Sequence, residues 1–92
     1  MNLDDALVVT LREACEHTAS AEHAEGLGEV QEFGDRALKT LETIDRASLE
    51  LHARGIIESA IRHARNVQHA VHPEGGQHDA REAQQLIAGL LG

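Results

Sequence analysis

Apolar residues recur every three or four positions along most of this 92-residue chain, the period of an α-helix and not of a strand. Leu3, Leu7, Leu11, Ala14 and Thr18 fall on one stripe, flanked by Val8 and Cys15. Val30, Ala37, Ile44 and Leu51 repeat every seven residues, with Leu41 and Ser48 between them, in the manner of a bundle seam that Gly34 and Ser48 make imperfect. Ile57, Ala60, Ile61, Ala64, Val67 and Val71 form a third stripe, and Ala83, Leu86, Ile87, Leu90 and Leu91 a fourth. Composition agrees: Ala occurs 14 times, Trp and Tyr are absent, and Phe33 is the only aromatic. Alanine is the best helix former, whereas the residues that favour sheets are sparse.

The expected fold is therefore all-α: a small bundle of three to four helices spanning about 3–25, 29–53, 56–72 and 79–91, in a single domain covering 1–92. Asn2 is a suitable cap for the first helix, and Asp4 and Asp5 suit its positive end. Gly26-Leu27-Gly28 reads as a stop and short turn, and Gly34 puts the firm start of the second helix as late as Asp35. The stripe after Gly55 is rotated by roughly 140° from the one before it, at 100° per residue. That rotation, with His52 and Arg54 suited to a helix C-terminus, predicts a kink or corner at Arg54-Gly55. Pro73-Glu74-Gly75-Gly76 reads as a loop, and Asp79-Ala80-Arg81-Glu82 as the capping box of the last helix.

Large apolar side chains are few: 11 Leu, 5 Ile, 5 Val and one Phe. A core that thin predicts a marginal monomer that gains from a partner surface. Two differently facing apolar stripes point the same way, to self-association as a homodimer.

Charge is uneven. Residues 1–50 carry 12 acidic and 4 basic side chains, which is the whole net charge of −8, whereas residues 51–92 carry 4 of each and five of the seven histidines. Glu22, Glu25, Glu29, Glu32 and Asp35 recur at helical spacing as a candidate acidic surface, although the glycines at 26 and 28 interrupt the row. Arg54, Arg62, Arg65, His69 and His72, with Glu58 among them, lie opposite the third apolar stripe as a candidate basic face. That face would either be solvated, with an Arg54–Glu58–Arg62 ladder, or dock on acidic helices within the chain or across a dimer. Direct nucleic-acid binding is disfavoured by the acidic total and the lack of Tyr or Trp stacking platforms.

Other chemistry is thinly represented. His69 and His72 could share a helix face near Glu74 or His78, but neither H-E-x-x-H nor E-x-x-H occurs. Cys15 and His17 are two residues apart, which separates them on a helix and makes a nucleophile–base pair improbable; Cys15 reads as a small core residue. No enzymatic activity, cofactor or metal is expected. The lone cysteine suits a reducing compartment, no apolar run is long enough to span a membrane, and the acidic start is unlike a signal peptide, so the cytoplasm is expected. Alanine- and arginine-rich usage with few lysines has the character of a high-GC bacterial or phage sequence.

The leading expectation is thus a non-enzymatic helical protein–protein interaction module that binds itself and another protein. The alternative is a small acidic inhibitor, of antitoxin or anti-defence type, that blocks a basic nucleic-acid-binding surface. A third is a helical metal-binding protein using the histidines.

Overall fold

Asp4 starts the first helix. Its side chain accepts a 2.7 Å hydrogen bond from the Leu7 backbone N–H, and the acidic Asp5 follows in the first turn. The computed structural model describes residues 3–92, so the expected cap at Asn2 lies outside the described residues. Among the described residues four α-helices follow one another: α1 (Asp5–His23), α2 (Leu27–Glu42), α3 (Leu51–Gln68) and α4 (Pro73–Leu91). A short 3-10 turn, Arg46–Ser48, lies between α2 and α3. There is no strand among the described residues.

The helices form an antiparallel ring in which α1 and α3 each pack between α2 and α4. The bundle is a rod of 37 × 19 × 18 Å, about one helix long. Two buried clusters fill it. The larger lies where α1 begins and α4 ends, and contains Leu11, Leu38, Leu41, Ile57, Ile61, Ile87 and Leu90. The smaller lies at the opposite end and consists of Ala21, Ala24, Val30, Val67 and Ala80, with Phe33 packed beside it.

The expected corner at Gly55 is absent. α3 runs straight through that residue, which is exposed, has no left-handed backbone, and would place an added Cβ in open space. The break lies earlier, in the connection from Thr43 to Glu50. There the Thr43 and Ser48 hydroxyls donate to the carbonyls of Thr40 and Asp45, which draws the backbone away from helix continuation. The two apolar stripes differ in direction because they belong to two different helices. Leu51, assigned by periodicity to the earlier stripe, sits in the first turn of α3 and is 80% exposed. Val71, assigned to the later stripe, lies beyond α3 and is 77% exposed.

The start of α4 also differs from expectation. Pro73 is the first residue of the helix, where its fixed φ is favourable and its missing N–H costs nothing, and Gly75 and Gly76 lie inside it. Gly76 is buried, and a Cβ there would lie 2.5 Å from Val30 Cγ1 and 3.0 Å from Ala70 Cβ. Its bare backbone lets α4 approach α2 closely. Asp79 therefore caps nothing; it sits in the second turn, with its carboxylate 2.8 Å from His63 Nδ1 on α3.

Gly34 works in the same way. It lies within α2 and is buried, and an added Cβ would meet Val67 Cγ1 at 2.5 Å and the Gln68 backbone N at 2.7 Å. Helix α2 begins at Leu27 with Gly26 as its cap, so the expected Gly26-Leu27-Gly28 turn lies two residues earlier, at Ala24-Glu25-Gly26.

Candidate functional site

The candidate acidic row is divided by the α1–α2 corner, and three of its five carboxylates are already engaged. Glu22, near the end of α1, accepts a 2.7 Å hydrogen bond from Arg81 Nε of α4. Glu32 pairs with Arg36 one turn along α2 at 2.7 Å, and the Arg36 guanidinium also lies over the Phe33 ring at 5.2 Å. Asp35 is held by Lys39 at 2.9 Å and by Gln68 Nε2 of α3 at 2.6 Å. These two donors keep its carboxyl below the usual aspartate range. Glu25 and Glu29 differ from the other three: both are exposed and neither makes an ion pair among the described residues.

The candidate basic face is divided too. Arg54 belongs to the fold: its guanidinium donates to the carbonyls of Arg46 (3.0 Å), Ala47 (3.4 Å) and Leu49 (3.1 Å). It thereby satisfies the carbonyls of the 3-10 turn and ties the α2–α3 connection down, and it forms no ladder with Glu58 and Arg62. Arg62 is exposed and donates to the Ser59 hydroxyl at 3.3 Å. Among the described residues Arg65 has only a long contact, 4.0 Å, to Glu42 at the end of α2.

Arg62 and Arg65 converge with a residue the sequence pattern does not single out. Arg46, Glu58, Arg62 and Arg65 line one open hollow together with the largely buried Ile61. Arg46 comes from the acidic half of the chain and from outside any α-helix, so no helical periodicity connects it to α3. The 3-10 turn brings it there. Three of the chain's eight Lys and Arg side chains thus share a single surface hollow with one carboxylate on its lining.

His69 and His72 do not share a helix face. His69 caps the end of α3 and His72 precedes Pro73 as the cap of α4, and both are exposed. They line a shallow hollow with Asn66, Gly75, Gly76 and Asp79. Among the described residues, no three His, Cys, Asp or Glu side chains are grouped as a metal site requires. His17 lies 3.7 Å from Glu13, the i, i+4 relation expected from spacing.

Cys15 is half-buried against the larger core cluster. Burial, and secondarily the neighbouring Glu16 carboxylate, push its thiol pKa up, which keeps it protonated and poorly nucleophilic. No helix is long and apolar enough to cross a membrane among the described residues. Their large exposed apolar side chains, Val9, Leu51 and Val71, lie on α1, at the start of α3 and in the α3–α4 connection. Exposed apolar residues scattered in this way are ordinary protein surface. Comparison with protein-family models, with curated proteins and with solved structures finds no match to this chain.

Proposed function

We propose that this chain is a non-enzymatic helical interaction module that self-associates, as a dimer, through charged rather than apolar surface. One observation supports the reading above the others: the arginine hollow of Arg46, Arg62 and Arg65 coexists with exposed carboxylates at Glu25 and Glu29. The apolar stripes that first suggested a dimer are buried within one chain, so they no longer argue for a partner. Arginine is the charged residue most enriched in protein interfaces, because its planar fork binds carboxylates bidentately and its stem packs on apolar surface. A module of this kind works in the cytoplasm, where its single cysteine stays reduced. Light scattering at physiological salt tests the proposal. Mass is expected to rise above the 10.0 kDa monomer across the micromolar range, and a constant monomer mass would refute self-association.

Glu25 and Glu29, on a chain of net charge −8, favour a second reading. In it the protein is a small acidic inhibitor that occupies a partner's basic nucleic-acid-binding surface. Capture of such a partner would weaken steeply with salt and be lost in Glu25→Lys/Glu29→Lys, whereas self-association would not require the partner at all.

A further inference from the structure

We infer that the arginine hollow on α3 receives the α1–α2 corner of a second copy, with Glu25 and Glu29 of that copy entering among Arg46, Arg62 and Arg65. This rests on the self-association proposed above and names its contact. Most of the chain's other cations are already occupied. Arg36, Lys39 and Arg81 are each within 2.9 Å of a carboxylate, and Arg54 is held by three backbone carbonyls. By contrast Arg65 has one contact at 4.0 Å, Arg62 one hydroxyl, and Arg46 no ion pair among the described residues. Arginine donors left with open positions and gathered around one hollow form a surface suited to planar carboxylates.

The composition of the hollow selects a protein carboxylate over a phosphate. Glu58 on its lining opposes a multiply charged anion, whereas it matches a protein surface in which charged and apolar atoms alternate. The chain supplies a counterpart itself. Glu29 is in the first turn of α2 and Glu25 is two residues before that helix, while Glu42, which Arg65 contacts, closes its other end. Arg46 and Glu42 lie at the far end of the rod from the corner, and the hollow runs from them along α3 past its middle to Arg62 and Arg65. The proposed pair is antiparallel about a two-fold axis, each corner on the other's hollow, so that one contact uses both pairs. The net charge of −8 on each copy opposes approach at long range, but that repulsion is screened over about 8 Å at physiological ionic strength. Contact pairs act within that distance.

Charge reversal on each side, followed by mixing, tests the contact. Arg62→Glu and Glu29→Arg replace exposed side chains, and thermal melting followed by circular dichroism establishes that both variants fold like the parent. Each alone is expected to self-associate at least about tenfold more weakly than the parent, because like charges then face each other. An equimolar mixture should regain parental affinity as a mixed dimer, detected by light scattering and by tagging one variant. If the parent associates and either reversal leaves its affinity unchanged, the hollow is not the contact. If both reversals weaken association and the mixture does not recover, the corner is not what fills the hollow. A parent that stays monomeric refutes the self-association itself, an outcome separate from both of these.

Discussion

Where α1 begins and α4 ends, Leu11, Leu41, Ile57 and Ile87 meet in a fully buried cluster; at the other end the buried residues are Ala21, Val30, Val67 and Ala80. Burial of large side chains dominates the first end, at about 1.5–3 kcal/mol for each. The second end has little side-chain volume and closes the space by bringing backbones together at Gly34 and Gly76. It adds polar ties, as the first end does where Arg54 holds the carbonyls of the α2–α3 connection. Gln31 donates to the Ala70 carbonyl at 2.7 Å and Gln77 to the Ala24 carbonyl at 2.6 Å, so each of the two connections at that end is held by a glutamine from a neighbouring helix. Arg81–Glu22 and Gln68–Asp35 reinforce α1–α4 and α2–α3. A bundle with little large apolar material can thus be closed by volume at one end and by close approach plus hydrogen bonds at the other.

The largest test breaks the leucine-rich end. Ile57 is 1% exposed, and Ile57→Asp buries a carboxylate with no partner. The cost should exceed the about 2–5 kcal/mol of emptying such a site to alanine. Loss of the cooperative circular dichroism melt is expected, and a variant that melts like the parent would place Ile57 on the wrong side of α3.

Next comes the glycine end. Gly34→Ala should destabilise by about 1–3 kcal/mol through overpacking, even though alanine favours helix by about 1 kcal/mol, because one of the crowding atoms is α3 backbone. Denaturant midpoints measure the difference, and a midpoint above the parent's would show that α2 and α3 are not in close contact there.

Gly55→Ala sharpens the same comparison by reversing its sign. This glycine is exposed, mid-helix and open around its Cβ position, so alanine should stabilise by roughly 0.4–1 kcal/mol. A fall in stability on calorimetry would restore the corner that the sequence pattern suggests.

The smallest effect concerns acid. Asp35 has its folded-state pKa lowered from 3.8 by hydrogen bonds from Lys39 and Gln68. Its contribution is present above the unfolded value and is lost as pH falls through the lowered folded value. Acid titration of stability should therefore show a shallower loss in Asp35→Asn than in the parent below about pH 4, and superimposable curves would remove Asp35 from the ties of the glycine end.

Helical character, four amphipathic segments and the inward faces of Leu11, Leu41, Ile57 and Ile87 were all legible in the sequence, because periodicity records which side of a helix meets apolar surroundings. The split in charge was legible too, being a property of composition. The ends of the helices were not. A glycine changes helix stability by only about 1 kcal/mol, so its local signal reads alike at the exposed Gly55, which interrupts nothing, and at the buried Gly34 and Gly76, where helices touch. The roles of the arginines were hidden for a similar reason. Arg54 and Arg62 read alike as cations on the polar side of one helix, yet one ties down a turn and the other lines a surface hollow with Arg46 from outside any α-helix. Local pattern specifies the face of a helix; which backbone, carbonyl or charge stands opposite that face exists only after four helices have packed.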